Sequence, residues 1–208
     1  MDEQNEGQII SLFPTPLYTY KLEDTEYNDV QAEIQRVVDK LYSNDLWGQN
    51  PNWVSSSQQL SNKGDFATSI LKDEDMKLVT AFILHHCENY MNMMHVKEGF
   101  KPVLSTSWIT LTKPGLHAHI HDHGTNSISG VYWFNTTGKD GDIVFRNANK
   151  ALKSNPIGSA INEAQFVPEQ GRTVMWPSHL DHGVNENKTD TDRISLSFNI
   201  LLETGAVN

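Results

Sequence analysis

The hydrophobic pattern changes its period near residue 102, and no other feature of the sequence constrains the fold as strongly. Before this point, apolar residues recur at helical spacing and predict two amphipathic helices, over 25–42 and 74–94. Beyond it, apolar and polar residues alternate in short runs separated by glycine and proline, which predicts antiparallel strands. The predicted strands are 103–112, 116–123, 128–135, 142–146, 164–167, 172–176 and 193–202.

This order of elements, helices first and then many short strands, predicts a fold of the α+β class that is mainly β. Closely spaced short strands are typical of a barrel or a double-sheet jelly roll. A chain of 208 residues has the length of one domain. We therefore expect a single domain over 1–208, in which residues 1–100 support a β core formed by residues 101–202.

Two segments of the N-terminal part are predicted to be extended or looped. Two prolines divide residues 9–22 into short apolar runs, which is typical of an edge strand because proline lacks a backbone donor. An exposed edge of this kind could pair across a homodimer, an alternative that the sequence leaves open. Residues 43–69 predict a long polar loop with Trp47 and Trp53 as apolar anchors, which either closes over a substrate or caps the β core.

The charge balance limits the partners of the chain. It has 26 acidic and 16 basic residues and a net charge of −10, which excludes a general nucleic-acid binder and disfavours anionic membrane surfaces. No apolar run approaches the roughly 20 residues of a membrane-spanning helix. The acidic start, Met1–Glu6, does not resemble a secretory signal, and a lone Cys87 excludes an internal disulfide and a cysteine-based zinc site. We expect a cytoplasmic protein with Cys87 as a buried thiol.

Histidines are concentrated in two short segments. Six of the nine lie in His117-Ala118-His119-Ile120-His121-Asp122-His123 and His179-Leu180-Asp181-His182. On a regular strand, residues i and i+2 share a face, so the four histidines of the first segment would point the same way. Two neighbouring imidazoles of this row could bind one metal ion, with His182 as the natural third ligand. The sequence thus predicts a site for iron, zinc, copper or nickel, which all accept neutral imidazole.

The predicted strand at 193–202 has a polar face of unusual composition. Along it, Arg193, Ser195 and Ser197 alternate with apolar residues. If this face turns into the β core, Arg193 needs an anionic partner, because a buried guanidinium without one is costly. The carboxylate of a ligand would match the guanidinium fork. Taken alone, the strand would also fit a solvent-exposed polar face, but together with the histidines it favours the interior placement.

Three blocks of sequence resemble the iron(II)- and 2-oxoglutarate-dependent oxygenases, and most closely their prolyl-4-hydroxylase-like branch with its 2OG-Fe(II) oxygenase subfamily. The first block is His121-Asp122-His123, followed by Ser129-Gly130-Val131-Tyr132-Trp133-Phe134-Asn135. The second block is Gly141-Asp142-Ile143-Val144-Phe145. The third block is Gly171-Arg172-Thr173-Val174-Met175-Trp176-Pro177-Ser178-His179-Leu180-Asp181-His182, followed by Arg193. The opening Leu12-Phe13-Pro14-Thr15-Pro16-Leu17 is similar too, so the likeness spans about residues 9–202.

The resemblance implies a double-stranded β-helix, a jelly roll with helices packed on one sheet. It also implies an enzyme that holds Fe(II) and uses 2-oxoglutarate and O2. The metal ligands that it implies by position are His121, His123 and His182. The residues that it implies for 2-oxoglutarate are Arg193 at the distal carboxylate, the hydroxyl of Ser195 or Ser197 beside it and, more weakly, Ser129 and Tyr132.

The ligand pattern departs from the superfamily at one position. His123 stands where most members have a carboxylate, so three neutral ligands would leave the full charge on the metal. Asp122 is not expected to replace it, because strand parity turns Asp122 to the opposite face. His119 with His121 is an alternative pair, although the spacing to Ser129 favours His121 with His123.

The resemblance implies an enzyme that oxidises a peptide or small-molecule substrate, most simply by hydroxylation, with release of succinate and CO2. Two alternatives stay open. One is a three-histidine cupin-type dioxygenase that does not use 2-oxoglutarate, and the other is a non-catalytic metal-binding jelly roll. They differ in one requirement, because only the first reading needs 2-oxoglutarate to bind at Arg193.

Overall fold

The computed structural model describes residues 15–49, 58–62, 68–147 and 162–204. The prediction for Trp53, much of the predicted loop 43–69 and the first part of the similar opening segment lie outside these residues. The bounds given below refer to the part of the chain that is described.

Both predicted helices are present, and the first is close to its predicted bounds. Helix α1 spans Asp24–Ser43, α2 is a single turn over Ile70–Asp73, and α3 spans Lys77–Met93. The second predicted helix begins three residues late because Asp75 has a φ of +50°, which a continuous right-handed helix does not contain. No helix in the described ranges is long and apolar enough to cross a membrane.

Ten strands form two antiparallel sheets. They are β1 Tyr18–Lys21, β2 Gln59–Leu60, β3 Phe100–Thr112, β4 Ala118–His121, β5 Ile128–Asn135, β6 Ile143–Arg146, β7 Glu163–Phe166, β8 Arg172–Pro177, β9 His182–Val184 and β10 Arg193–Thr204. The larger sheet has the order β1-β8-β5-β10-β3-β2, and the smaller has the order β4-β9-β6-β7. All seven predicted strands are confirmed. The prediction missed β9 and also β2, which lies in the predicted loop 43–69. At three and two residues, both strands are too short to show alternation.

The two sheets face each other as a double-stranded β-helix, which confirms the predicted fold class. An apolar cluster that includes Trp133, Phe145 and Trp176 fills the space between the sheets. The opposite face of the larger sheet packs against α1 and α3 in a second, larger cluster. The roll is thus closed on one side by helices, and its interior lies between the sheets.

Strand β10 separates its two faces as the sequence predicts. Leu196 and Phe198 belong to the cluster under the helices, whereas Arg193, Ser195 and Ser197 line a cavity between the sheets. The polar face therefore turns inward, which excludes the alternative of a solvent-exposed arginine.

The prediction that four histidines share one face of a strand is wrong, because β4 contains a bulge. Its register against β9 shifts between Ala118 and His121. Ala118 and His121 consequently line the same interior cavity, whereas His119 is exposed on the other side. Gly183 of β9 makes room for the bulge, since a Cβ there would lie 2.9 Å from the carbonyl oxygen of Ala118.

Cys87 on α3 is a buried thiol, which confirms its predicted role. Its side chain is fully enclosed in the cluster under the helices, with Sγ 3.7 Å from Sδ of Met175. Burial raises the pKa of the thiol to about 12, so the thiolate that reacts with oxidants and electrophiles is scarce at neutral pH.

His86, the residue before Cys87, is a histidine without contact to the interior cavity. It is only 4% exposed, and its Nδ1 lies 2.6 Å from the hydroxyl of Tyr18 on the edge strand β1. Burial, reinforced by the neighbouring His85, lowers the pKa of His86 to about 4. The folded protein therefore keeps this ring neutral at pH values where an unfolded chain protonates it.

Replacing His86 is expected to make the free energy of unfolding less dependent on pH in the acidic range. Between about pH 6.5 and pH 4 the unfolded chain binds a proton at His86 that the folded chain does not, so wild-type stability falls as the pH falls. In His86→Phe this contribution is absent. The free energy of unfolding should therefore depend less steeply on pH, by the equivalent of up to about one bound proton. Urea unfolding at several pH values measures the difference. Parallel curves for the two proteins would contradict the assignment.

Candidate active site

Three histidines from two neighbouring strands converge in the interior of the roll. His121 ends β4, His182 begins β9, and the two are paired across the strands, while His123 follows two residues after β4. One ring nitrogen from each lies within 4.8 Å of the other two. The ring centroids are 4.5 to 5.1 Å apart. We call these three residues the histidine triad.

Backbone carbonyls fix the tautomer of two triad rings. His121 Nδ1 lies 2.8 Å from the carbonyl oxygen of His119, and His182 Nδ1 lies 3.0 Å from that of Leu180. A carbonyl can only accept, so each Nδ1 carries the proton and donates it. Each Nε2 is left with its lone pair for a metal ion, as is usual for metal-binding histidines.

Burial keeps the triad neutral. Desolvation is the largest cause that lowers all three pKa values, and that of His123 falls to about 4. For His182, the neighbouring His121 and His123 lower the pKa further. Three neutral imidazoles with converging lone pairs suit divalent iron and its neighbours in the periodic table, so the donor set fits the metal that the resemblance implies.

No carboxylate joins the triad in the described part of the chain. Asp122 is exposed, and its Oδ1 accepts a hydrogen bond from the backbone of Gly124 at 2.8 Å. The alternative pair of His119 with His121 is also not formed, since His119 lies on the outer side of β4. The geometry therefore brings together the three residues that were predicted by position.

Arg193 is a buried cation at the start of β10, 2% exposed. Its Nη1 donates to the carbonyl oxygens of Asp140 at 3.1 Å and Gly141 at 2.6 Å, and its Nη2 donates to Thr112 Oγ1 at 3.0 Å. Burial lowers its pKa to about 10, so the guanidinium remains charged at neutral pH. No side-chain carboxylate in the described ranges forms an ion pair with it.

The unused hydrogen-bonding capacity of Arg193 lies on one edge of the guanidinium. Its Nε has no partner among the described residues, and Nη2 has two hydrogens, of which the bond to Thr112 uses one. Nε–H and Nη2–H stand side by side, at the spacing of two carboxylate oxygens. A carboxylate would therefore satisfy both free donors and give the guanidinium a direct ion-pair partner.

The loop that precedes β6 is built to hold Arg193 in this position. The carboxylate of Asp140 is fully buried and accepts hydrogen bonds from Thr136 Oγ1 and from the backbone of Thr137, both at 2.6 Å. Gly141 has a φ of +103°, and a Cβ there would lie 2.2 Å from the carbonyl oxygen of Asn185. Only glycine therefore fits where the loop presents its carbonyls to the arginine.

The triad and Arg193 line the same cavity, which has a volume of about 60 Å³. Its walls carry three tryptophans, Trp108, Trp133 and Trp176. The ring of Trp176 packs edge-on against His182 with centroids 4.7 Å apart, and its buried Nε1 has no partner among the described residues. The cavity thus combines a metal-binding end, a carboxylate-binding group and apolar walls, which is the composition of a small-ligand site.

Of the other four residues predicted for cosubstrate binding, two line the cavity and two do not. Ser195 and Ser197 line the cavity beside Arg193. Ser129 does not, because its Oγ is 2.8 Å from both Ser178 Oγ and Asn199 Oδ1 in a buried polar cluster. Tyr132 lies on the helix-facing side of β5, packed edge-on against Phe82, so strand parity separates it from the cavity. Neither of these two positions supports a role in binding.

Two threonines on β3 were missed by the sequence reasoning. Thr110 is paired with Ser195 and lines the cavity, and Thr112 is paired with Arg193 and accepts a hydrogen bond from it. Gln58 completes the group, since its Nε2 donates to Thr112 Oγ1 at 2.8 Å. Alternation along the predicted strand 103–112 placed the threonines on one face, but only the pairing with β10 shows that this face meets Arg193.

Comparison with known proteins finds one matching family model and a shared fold. The family model described as "Putative 2OG-Fe(II) oxygenase" matches residues 106–199. These residues run from β3 to β10 and contain the triad and Arg193. A search of curated proteins gave no match.

Several solved structures share the fold at low sequence identity. A prolyl-4-hydroxylase from Pseudomonas putida is 14% identical with a TM-score of 0.60, covering 90% of this chain and 92% of its own. The epimerase SnoN from nogalamycin biosynthesis, described as non-heme and alpha-ketoglutarate-dependent, is 12% identical with a TM-score of 0.63, covering 90% and 76%. A prolyl hydroxylase from Trichoplax adhaerens is 11% identical with a TM-score of 0.59, covering 89% and 83%.

Removal of one triad ligand should abolish tight metal binding, whereas removal of the outward-facing histidine should not. In His182→Ala we expect Co(II) affinity to fall by more than about 100-fold, because even the loss of an outer-shell partner costs about 10–100-fold. His119→Ala keeps the backbone carbonyl that His121 uses, so the tight Co(II) site of the triad should keep its affinity. Visible absorption of the Co(II) protein measures both. Loss of tight binding in His119→Ala with retention in His182→Ala would overturn the ligand set.

Proposed function

We propose, from the premise that this chain is a 2OG-Fe(II) oxygenase, that the triad of His121, His123 and His182 holds its Fe(II) and that Arg193 binds the distal carboxylate of 2-oxoglutarate. The proposal rests on the burial, charge and unpaired donors of Arg193. It is a fully charged guanidinium inside the roll, with a free donor edge and no carboxylate partner among the described residues.

The energetics of this arginine favour an anionic ligand. Burying a guanidinium is costly, and the carbonyls and Thr112 Oγ1 that Arg193 contacts offset only part of that cost. Asp140 and Asp142 stabilise the charge from a distance, but neither forms an ion pair with Arg193. A carboxylate that enters the cavity would supply the direct partner. 2-Oxoglutarate carries one carboxylate for this position and a 2-oxo acid group at the other end.

The reaction assigned to the chain is the one that its family catalyses. One molecule of O2 is consumed, with one oxygen atom entering succinate and the other entering the substrate as a hydroxyl group, while CO2 leaves from 2-oxoglutarate. Iron, when bound to the triad, supplies the O2 and redox chemistry that no protein side chain provides.

The chain itself supplies orientation and a dry site. The tautomers of His121 and His182, set by backbone carbonyls, direct Nε2 lone pairs into the cavity without rearrangement. Arg193 fixes one end of the cosubstrate, and Ser195 and Ser197 line the same wall. Trp108, Trp133 and Trp176 give the cavity apolar walls, which disfavour water beside the site.

Hydroxylation of a peptide or small-molecule substrate is the outcome that we propose. Support comes from the range of the structural neighbours, which include two prolyl hydroxylases and an enzyme of nogalamycin biosynthesis. The net charge of −10 disfavours polyanionic substrates. Within these limits both substrate classes fit the site.

Anaerobic titration tests the assignment of Arg193. With Fe(II) and 2-oxoglutarate together, the wild type should show the weak visible charge-transfer band of a metal-bound 2-oxo acid. Arg193→Ala should lose the band at the same 2-oxoglutarate concentration, because truncating one partner of a buried charge pair costs about 2–5 kcal/mol. Arg146→Ala is the matched control, since Arg146 is paired with Glu163 at 2.8 Å outside the cavity.

The outcomes separate the competing functions. A band that survives in Arg193→Ala would remove Arg193 from the cosubstrate site. Iron binding without any affinity for 2-oxoglutarate would favour the three-histidine dioxygenase, in which Arg193 binds a carboxylate of the substrate itself.

A further inference from the structure

His117 and His119 form a second histidine pair that the proposed iron site does not use. The bulge in β4 directs His119 to the outer face of the four-stranded sheet, where it is exposed beside the half-buried His117. The two Nε2 atoms are 3.3 Å apart, and the ring planes are nearly perpendicular at 80°. Both rings border a groove of about 370 Å³ on this outer face.

The separation of the two Nε2 atoms matches the spacing of two ligands on one metal ion. Two imidazole nitrogens bound at 2.0–2.1 Å to a tetrahedral ion lie about 3.3 to 3.4 Å apart. The measured 3.3 Å between the nitrogens therefore already matches the spacing of two ligands, and a rotation of the rings would direct both lone pairs at one ion. Residues i and i+2 of an extended segment are well placed for this, because they share a face.

A direct hydrogen bond between the rings is a weaker explanation of the same contact. At 3.3 Å the contact between the two ring nitrogens is a long hydrogen bond. One ring would have to donate through Nε2 and the other accept. An exposed bond of this kind also competes with water and contributes little to stability.

The groove supplies a carboxylate beside the pair. Glu163 is already paired with Arg146, whereas Glu186 borders the same groove and forms no ion pair among the described residues. No third ligand atom lies within 4.8 Å of both histidines in the described part of the chain. The pair would therefore leave coordination positions for Glu186, for water or for a group from another molecule.

We propose that His117 and His119 bind a divalent ion of the zinc, nickel or copper class through their Nε2 atoms, at a surface site separate from the triad. The two sites sit on opposite sides of β4, and the bulge between Ala118 and His121 keeps them apart. Borderline-soft ions are the expected ligands, because imidazole suits them and the site lacks the oxygen cage that calcium or magnesium requires.

Retention of the untagged full-length chain on a Ni²⁺-charged chelating resin tests the site. The wild type should be retained and eluted by imidazole, and His119→Ala should elute clearly earlier. The comparison isolates the outer face, because both proteins keep the same triad and differ only at His119. His95→Ala is the matched control, because His95 is exposed beyond the end of α3 and should elute like the wild type. Equal retention of His119→Ala and the wild type would overturn the proposal.

Equilibrium dialysis against Zn²⁺ gives an independent measurement. In His121→Ala/His182→Ala the interior ligands are gone, and about one zinc ion per chain should still bind. Adding His119→Ala should reduce this to near zero. A folded double variant, checked by circular dichroism, that binds no zinc would contradict the site. Neither measurement involves 2-oxoglutarate, so failure here leaves the assignment of Arg193 standing, and the reverse also holds.

Discussion

A single positive charge inside the roll, that of Arg193, organises the site. The charge is held by two loop carbonyls and one threonine hydroxyl, all on one side of the guanidinium. The loop can present those carbonyls because Asp140 is anchored by its own threonines and Gly141 adopts a backbone conformation that other residues avoid. The Nε of Arg193 has no partner among the described residues, and Arg193 lines the cavity shared with the triad. A 2-oxo diacid has the two ends that such a cavity requires.

The bulge in β4 determines which histidines reach the interior. Without it, His117, His119 and His121 would lie on one face, and Ala118 could not share the cavity with His121. The extra residue turns the strand, brings His121 opposite His182, and leaves the carbonyl of His119 to fix the tautomer of His121. The bulge requires a glycine at position 183 on β9, because any side chain there would collide with β4. One local defect in pairing thus produces the interior triad and the exterior pair together.

The parts of the structure that follow from local periodicity could be predicted, and those that follow from pairing could not. Alternation along 193–202 correctly separated Arg193 from Leu196, since residue parity alone decides the two faces. The same use of alternation failed at His117–His123, because β4 contains a bulge and its change of register depends on the neighbouring strand. Thr112 was missed for a related reason: its importance depends on its position opposite Arg193, which the sequence of β3 does not record. The family resemblance identified the three triad histidines by position. It also suggested Tyr132, which lies within a matching block but faces the helices.

The measurement that tests the role of Arg193 most directly compares two ligands that differ at one end. Calorimetric titration of the anaerobic Fe(II) protein with 2-oxoglutarate and with 2-oxopentanoate keeps the 2-oxo acid group and replaces the distal carboxylate by a methyl group. If Arg193 requires that carboxylate, 2-oxopentanoate should bind about 100-fold more weakly or worse, because it leaves a buried guanidinium without its partner. Equal affinities would show that the charge of Arg193 serves some other purpose.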